Sequence, residues 1–300
     1  MFKLMECVPN FSEGRRPEVV AAIVSAMQSV PSVRVLDFSS DADHNRSVVT
    51  LVGAPEGLVE AAFRGAEAAS RLIDLNQHKG NHPRMGAADV IPFIPVRDCA
   101  MEDAVVAARQ LGERLGSELS IPVYLYEAAA TRPERKNLAD VRRGEFEGLR
   151  EEIVKPERQP DFGPAQLHPT AGATAVGARP FLVAFNINLG TKDVSVAKRI
   201  ARAVRGSSGG FVNTKALGLY LEAEGVAQVS MNMTDFTKTS LHHVFDFVRR
   251  EAEQQGVPVV GSEIVGLVPE QALLDAARYY LRLWGFQESQ VLERRLADEE

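Results

Sequence analysis

VRVLDFSSDADHNRSVVTLVG, residues 33–53, contains two runs rich in β-branched residues, separated by the polar residues DADHN. This pattern predicts two strands joined by a loop, that is, a β-hairpin. Apolar residues recur at helical spacing before the hairpin in PEVVAAIVSAMQSV and after it in PEGLVEAAFRGAEAASRLIDL. Each of these segments opens with proline, which suits the first turn of a helix. The hairpin is therefore predicted to lie between two helices.

Further strands are predicted on both sides of this segment, in LMECVPNF and ADVIPFIPV. The resulting order, βαββαβ, is that of the ferredoxin-like unit. The second half of the chain repeats the order in RPFLVAFNINLGT, VSVAKRIARAVRG, KALGLYLEAEGVAQVSMNMTD, SLHHVFDFVRREAEQQG and SEIVGLVP. We therefore expect an α+β protein of two ferredoxin-like subdomains, residues 1–178 and 179–300, whose sheets could close against each other.

The composition is that of a soluble globular protein: 300 residues, 45% hydrophobic and 25% charged, with a net charge of −6. An acidic chain lacks the basic surface that neutralises phosphates, so nucleic acid is not expected as a partner. The two cysteines, Cys7 and Cys99, lie in apolar segments, which argues against disulfides and favours a reducing cytoplasm. An export signal and a run of about eighteen apolar residues are both missing, so no association with a membrane is expected.

A charged, proline-containing segment joins the two repeats. Its first part is predicted to be helical in pieces, and KPERQPDFGPAQLHPTAG, residues 155–172, is predicted to be an ordered loop. Loops at domain junctions often carry binding sites. GSSGG, residues 206–210, lacks the spacing of a phosphate-binding loop, so we interpret it as a flexible connection.

HKGNHPRMG, residues 78–86, places two histidines four residues apart. Two zinc ligands can share a helix face at this spacing, but the glycine and proline argue against such a helix, and no metal site is expected. Lys79 and Arg84 should disfavour the protonated form of His82 by like-charge repulsion, which leaves a neutral imidazole able to accept a proton near pH 7. A loop histidine bonded to the backbone is the alternative interpretation.

Several long strings resemble one known family, the formiminotransferase domain of the glutamate formimidoyltransferases. They are ECVPNFSEG, NRSVVTLVG, HPRMGAADVIPFIPV, PVYLYE, PDFGP, GATAVGARPFLVAFNINLGT, AQVSMNMTDF and EIVGLVPEQALLDAA. The resemblance implies transfer of the formimino group from N-formimino-L-glutamate to the 5-nitrogen of tetrahydrofolate, a step of histidine degradation and one-carbon metabolism. It also implies two ferredoxin-like subdomains that face each other across a folate tunnel.

The resemblance assigns the catalytic acid/base to His82, in the HPRMG string. Animal members of the family carry an aspartate at the position of Ser39, so Asp41 or Asp43 is a candidate to assist His82, although both could instead lie in a solvated turn. No cyclodeaminase region is expected after the second subdomain, so another protein would remove ammonia from the product. The resemblance assigns the folate-binding loop to Gly163, Pro164, Ala165, Gln166, Leu167, His168, Pro169, Thr170, Ala171 and Gly172.

Attack by the folate nitrogen on the formimidoyl carbon gives a tetrahedral intermediate, in which the attacking nitrogen loses a proton and the departing glutamate nitrogen gains one. One imidazole could serve both transfers without a metal or redox cofactor, and tetrahydrofolate enters as a co-substrate. The substrate carboxylates require local positive charge, for which the candidates are Arg46, Lys79, Arg84 and Arg179. A homodimer is expected.

Two other functions fit the same residues. A glutamate formyltransferase acting on N-formylglutamate would need only a different hydrogen-bonding group in the pocket, because oxygen and imino nitrogen are nearly isosteric. A folate-binding module without catalysis is the other, since ferredoxin-like units often serve for binding alone. The complete HPRMG string favours catalysis.

Overall fold

The computed structural model describes residues 3–80, 82–222 and 224–297. The chain divides into two compact units, the first ending at Pro180 and the second beginning at Phe181. Each unit contains one sheet and several helices, which confirms the α+β class.

The first unit contains a seven-stranded sheet. Its strands are β1 (Leu4–Cys7), β2 (Asn10–Phe11), β3 (Val33–Asp41), β4 (Arg46–Gly53), β5 (Ala88–Arg97), β6 (Val123–Glu127) and β7 (Thr174–Ala178). Its helices are α1 (Pro17–Gln28), α2 (Pro55–Leu72), α3 (Met101–Glu118), α4 (Leu138–Val141) and α5 (Glu145–Glu152).

The predicted hairpin is confirmed. β3 and β4 pair antiparallel from Val33 opposite Gly53 to Asp41 opposite Arg46, so the polar residues of DADHN form its tip. On its other side β4 pairs with both β1 and β2, and these two short strands also pair with β5. All of these pairings are antiparallel. The hairpin tip is therefore attached to the part of the sheet that carries the N-terminal strands.

The far side of the sheet holds a strand that the sequence pattern did not predict. TAVGA forms β7, which pairs in parallel with β5 on one side and with β6 on the other. The strand depends on these two neighbours, because its residues are mostly small and have little strand preference of their own. The predicted helical pieces of the linker are confirmed as α4 and α5.

The core of the first unit lies between this sheet and helices α1, α2 and α3. In α1 the buried residues follow one helical face, which explains why the apolar spacing forms a helix here; they are Val19, Val20, Ile23, Val24 and Met27. β5 is buried from Ala88 to Ile94, as expected of an interior strand. Asp89 is the acidic residue in that run, and it is only 3% exposed.

The second unit contains a four-stranded antiparallel sheet in the order β11–β8–β10–β9. Its strands are β8 (Val183–Leu189), β9 (Thr214–Leu221), β10 (Val226–Met233) and β11 (Val259–Val265). Its helices are α6 (Val194–Val204), α7 (Leu241–Gln254), α8 (Glu270–Leu281) and α9 (Leu292–Ala297). Helices α6 and α7 pack on the sheet over a core of its own. Among the residues described, no helix is long and apolar enough to cross a membrane.

Candidate active site

Asn45, at the tip of the hairpin, holds three segments of the chain together. Its side chain accepts a hydrogen bond from the backbone N–H of Gly14 at 3.0 Å and donates one to the carbonyl of Lys79 at 3.0 Å. Its own carbonyl lies 2.9 Å from Nε2 of His78. Asn45 has φ of 50°, a left-handed conformation that asparagine tolerates better than most residues. His78 and Lys79 are thereby fixed against the hairpin.

Gly80 makes this close approach possible. A Cβ atom at Gly80 would lie 2.3 Å from the carbonyl oxygen of His44, which is closer than any two such atoms can come. Gly80 therefore allows the backbone at this position to lie directly on the hairpin tip, two residues before His82. The helix α2 has already ended at Leu72, so the two histidines of this segment do not share a helix.

His82 is half-buried, and its Nε2 lies 3.0 Å from Nη1 of Arg46. A guanidinium can only donate, so Nε2 must be the acceptor and the proton of the neutral ring must sit on Nδ1. The backbone hydrogen bond to Pro83, which has no N–H and so can only accept, agrees with this tautomer. This geometry fixes which nitrogen is available as a base.

Burial, followed by the positive charges of Arg46 and Arg142, lowers the pKa of His82 from 6.5 to about 3. The predicted neutral imidazole is therefore confirmed, but its cause is different. We expected Lys79 and Arg84 to provide the repulsion, whereas the cations that act most strongly come from the hairpin and from the end of α4.

Arg46 and Arg142 form a largely buried cationic pair beside His82. Arg46 donates to Oδ1 of Asn10, and Arg142 donates to Oδ2 of Asp89. Asp89 also accepts a hydrogen bond from the N–H of Met85 at 2.8 Å. The Nε atom of each arginine is buried and has no hydrogen-bond partner among the described residues. Asp89 is the carboxylate bonded to this pair, and the charges of Asp89 and Asp41 also act on Arg46. Excess positive charge remains at the imidazole, since both arginines lower its pKa.

Arg84, by contrast, forms salt bridges with two carboxylates of the chain itself. Its guanidinium donates to Glu147 at 2.6 and 2.8 Å and to Glu145 at 3.1 Å, and its side chain is 11% exposed. Its Nε donates to Nδ1 of His78 at 3.2 Å. Since Nε2 of His78 bonds the carbonyl of Asn45, both ring nitrogens of His78 have hydrogen-bond partners within the chain. This histidine has the contacts of a structural link between two segments.

Two other candidate cations lie apart from this cluster. Arg179 donates to the carbonyl of Pro180 at 2.9 Å, and its charge acts on Glu6 and Tyr126. Lys79 is exposed, and its backbone carbonyl holds Asn45. The structure therefore places Arg46 beside His82 but not Arg179.

Asp41 contacts His44 instead of His82. Its Oδ1 accepts from the backbone N–H of His44 at 2.8 Å, and its Oδ2 lies 2.8 Å from Nδ1 of the same residue. Partial burial raises the pKa of Asp41, but the hydrogen bonds from His44 outweigh it and hold this pKa below its usual value. Asp43 is exposed at the tip. The His44 ring lies edge-on to that of His82, with centroids 6.2 Å apart.

The side chains described above line one narrow recess in the first unit. Its walls come from the hairpin tip, from the HKGNHPR segment, and from the strands β2 and β5. The lining residues are Phe11, Ser12, His44, Asn45, Arg46, His78, His82, Arg84 and Asp89.

The loop at residues 163–172 ends against the HPRMG string. The carbonyl of Ala171 accepts from the N–H of Ala87, and the carbonyl of Met85 accepts from the N–H of Ala173, each at 2.9 Å. Gly172 has φ of 69°, and a Cβ there would lie 2.3 Å from the carbonyl oxygen of Met85. The end of the loop is therefore part of the wall that positions residues 82–86.

The beginning of the loop is open to solvent. Residues 163–166 are exposed, while Leu167 is buried. Residues 165–169 border a cleft of about 580 Å³, together with Asn76, Arg150, Ile153 and Val154. Arg150 donates to Oδ1 of Asn76 at 2.6 Å and lies over the ring of Phe146. A flat ligand with an anionic group could be accommodated here.

Gly86 lies where the HPRMG string packs against the chain that follows the loop at residues 163–172. A Cβ at Gly86 would lie 1.9 Å from the carbonyl oxygen of Ala173, and neither backbone can move freely. We expect Gly86→Ala to destabilise the first unit by at least about 2 kcal/mol, which is typical of overpacking, as measured by urea unfolding.

Gly148 provides the matched control, because a Cβ there meets nothing within 4 Å and the residue lies inside α5. Gly148→Ala should stabilise the protein by about 0.5–1 kcal/mol, since alanine is the better helix former. Equal urea midpoints for Gly86→Ala and the wild type would contradict the contact with Ala173.

The chain is similar to known proteins along nearly its whole length. Residues 4–179 match the family described as "Formiminotransferase domain, N-terminal subdomain", and residues 184–294 match "Formiminotransferase domain". The chain is 50% identical to the glutamate formimidoyltransferase of Streptococcus pyogenes serotype M1 over 297 residues, which cover 99% of each chain. It is 50% identical over 295 residues to the protein of the same name from Thermoplasma acidophilum, covering 98% of this chain and 97% of that one.

A longer relative matches in the same region. The chain is 50% identical over 285 residues to the formimidoyltransferase-cyclodeaminase of Mus musculus, which covers 93% of this chain and 53% of that protein. Both halves of the sequence thus match one family, and identity reaches half over nearly the full length. The chain belongs to the formiminotransferase domain family.

Proposed function

We propose that this protein transfers the formimino group from N-formimino-L-glutamate to the 5-nitrogen of tetrahydrofolate, giving L-glutamate and 5-formiminotetrahydrofolate. His82 is the general acid/base. The observation that carries this proposal is the neutral imidazole of His82. Its Nε2 accepts from Arg46, its pKa is lowered by burial and by the charges of Arg46 and Arg142, and the end of the loop at residues 163–172 bonds the nearby backbone of Met85 and Ala87. Relatives that share half of the sequence carry the corresponding name.

The excess positive charge gives the site a way to activate His82. A base with a pKa of about 3 is weak at neutral pH. A substrate carboxylate that pairs with Arg46 would offset the charge that lowers this pKa, and it would draw the guanidinium away from Nε2. The imidazole then becomes basic only when the donor is bound. It takes the proton from the folate nitrogen as that nitrogen attacks the formimidoyl carbon.

We further propose that tetrahydrofolate is the co-substrate and that residues 163–172 hold it. The exposed start of the loop and the cleft beside Arg150 support this placement, because a pterin is flat and the folate tail ends in carboxylates. Of the two aspartates predicted to assist the chemistry, Asp41 is the candidate that the geometry favours, because it contacts His44, whereas Asp43 is exposed at the tip. Arg46 is the carboxylate-binding candidate that the geometry favours.

The strand orders support a ferredoxin-like arrangement within each unit. Neighbouring strands of the first sheet lie in the order β3, β4, β1, β5, and those of the second in the order β9, β10, β8, β11. In both sheets these are the second, third, first and fourth strands of a βαββαβ unit. We propose residues 1–178 and 179–300 as the two subdomains and, as the family resemblance implies, a folate tunnel between them. We also propose that the protein is a cytoplasmic homodimer and that its substrates are small molecules.

One assay tests the function. Purified protein is mixed with tetrahydrofolate and either N-formimino-L-glutamate or N-formyl-L-glutamate, and release of glutamate is measured together with the folate product. We expect turnover with the formimino donor. Turnover with the formyl donor alone would make the protein a formyltransferase, and folate binding without either reaction would leave a binding module.

Folate binding itself predicts a local change in amide exchange. We expect residues 163–166 to gain protection from hydrogen exchange when folinic acid binds, because these residues are exposed in the free protein. The amides of Ala171 and Gly172 should change less, since both already donate to His168. Protection confined to other parts of the chain would place the folate site elsewhere.

A further inference from the structure

Formimino transfer requires two proton movements, and His82 is well placed for only one of them. The attacking folate nitrogen loses a proton, and the departing glutamate nitrogen gains one. In the described geometry Nε2 of His82 is an acceptor, while the ring proton is held on Nδ1, on the side of Pro83. A second proton-transfer group would allow the base and the acid to act from different positions.

The hairpin tip supplies a histidine–aspartate pair beside His82. The carboxylate of Asp41 lies 2.8 Å from Nδ1 of His44 and also accepts the backbone N–H of that residue at 2.8 Å. Because Asp41 contacts both the ring and the backbone of His44, the orientation of the imidazole is fixed, and Nε2 lies on the side of the ring away from the carboxylate. The side chain of His44 is 50% exposed, so a substrate can reach it.

The two imidazole rings are neighbours. Their centroids lie 6.2 Å apart with an interplanar angle of 68°, an edge-on arrangement. The attacking and departing nitrogens are bonded to the same carbon atom, so two adjacent rings can each serve one of them. His44 and His82 line the same recess, which makes this geometry specific to the site.

We infer that His44, oriented by Asp41, is the general acid that protonates the departing glutamate nitrogen, while His82 takes the proton of the folate nitrogen. This inference rests on the proposed function. Asp41 is a positioning residue, since its carboxylate acts through His44 and compensates the charge of the imidazolium. It explains why DADH at the hairpin tip contains an acid three residues before a histidine.

The steps balance without any further reactant. In the proposed starting state His82 is neutral and His44 is the imidazolium, with Nδ1–H on Asp41 and a proton on Nε2. The N5–H bond breaks and its proton passes to Nε2 of His82, while nitrogen N5 forms a bond to the formimidoyl carbon and the π electrons of the C=N bond move to the imino nitrogen. The C=N bond then re-forms as the bond between that carbon and the glutamate nitrogen breaks, and Nε2 of His44 gives its proton to the glutamate nitrogen. After the products leave, the proton on His82 returns to His44 through water, and both residues regain their starting forms.

Chemical rescue tests the role of His44. We expect His44→Gln to lower kcat about 100-fold while the KM values for both substrates stay within about threefold, because a general acid acts on the transition state. Imidazole added to the assay should raise kcat of this variant at least about tenfold, since it can enter the space left by the side chain. His243→Gln, in the second unit, is the matched control, with no loss of kcat and no response to imidazole.

The aspartates are tested in parallel. Asp41→Asn should lower kcat about tenfold, and nitrogen NMR should show that the proton of the neutral His44 ring no longer resides on Nδ1 alone. Asp43→Asn should leave both readouts as in the wild type. A loss of turnover in Asp43→Asn but not in Asp41→Asn would overturn the inference.

Failure of the inference can be distinguished from failure of the proposed function. If the wild type transfers the formimino group and His44→Gln keeps its full turnover, His44 is not the acid and only this inference is wrong. A loss of turnover that imidazole does not restore, accompanied by large changes of KM, would also overturn it. If the wild type releases no glutamate from N-formimino-L-glutamate, the proposed function fails, and the role of His44 fails with it.

Discussion

We expect His82→Ala to lower kcat by about two to four orders of magnitude, because general acid/base groups act mainly on the transition state. Folate affinity should change little, since the loop at residues 163–172 keeps its backbone contacts to Met85 and Ala87. Steady-state release of glutamate and equilibrium titration with folinic acid are the two measurements. Near-normal turnover in this variant would make His82 a structural residue.

His78 is the control for this variant. Its ring is held by Arg84 and by the carbonyl of Asn45, so its removal disturbs a link between segments and takes away no proton-transfer group. We expect His78→Gln to lower turnover by less than about tenfold, in line with the loss of two hydrogen bonds. Complete inactivation of the wild type by a chelator would instead indicate that the histidines bind a metal.

The pH dependence of stability provides an independent view of His82. Its pKa is about 3 in the folded chain and 6.5 without the influence of the fold. As the pH falls below 6.5, the unfolded chain binds a proton that the folded chain does not, so His82 makes folding less favourable down to pH of about 3. His82→Asn removes this contribution. Relative to the wild type, the variant should gain stability between pH 6.5 and pH 5 in thermal unfolding.

Local sequence patterns predicted the parts of the fold whose causes are local. The hairpin at residues 33–53 follows from β-branched runs around a polar tip, and the helices follow from apolar periodicity. β7 was missed because TAVGA is short, consists mainly of small residues and follows a proline- and glycine-rich loop. Its identity as a strand depends on neighbours on both sides, β5 and β6, which are distant in sequence.

The candidate site likewise combines features that the local sequence could predict with features that depend on residues distant in sequence. A neutral His82 could be predicted because cations were expected nearby, but the cations that matter most are contributed by β4 and by the residue after α4. Arg142 was missed as a member of a charged segment with several arginines. One signal could have found it: Asp89 interrupts an apolar strand, and a buried carboxylate requires a cationic or hydrogen-bonding partner. The sequence does not say which arginine that partner is.

Arg142→Met should be among the most destabilising substitutions in the protein. The pair of Arg142 and Asp89 is buried, with side chains 13% and 4% exposed. Removing Arg142 leaves the carboxylate with one described hydrogen bond, from the N–H of Met85, and with the charge of Arg46 but no ion pair. We expect a loss of about 3–5 kcal/mol in the free energy of unfolding, measured with urea.

The double variant Arg142→Met with Asp89→Asn isolates the electrostatic part of this effect. If an uncompensated carboxylate is the cause, neutralising it should recover about 2 kcal/mol or more of the loss, because an amide can still accept from Met85 at a much lower cost of burial. Equal stabilities of the single Arg142→Met and the double variant would show that lost packing, and not charge, is responsible.

Arg142→Lys separates the role of this residue in stability from its role in the site. Lysine keeps the positive charge near Asp89 but lacks the planar group of arginine, so the protein should lose less stability than with methionine. His82 reports on the charge directly: with methionine at position 142 one of the two main cationic influences on its pKa disappears, and the pKa must rise from about 3 toward 6.5. With lysine it should stay low. NMR titration of His82 in the folded variants measures this shift, and an unchanged pKa in Arg142→Met would mean that burial and Arg46 alone keep the imidazole neutral.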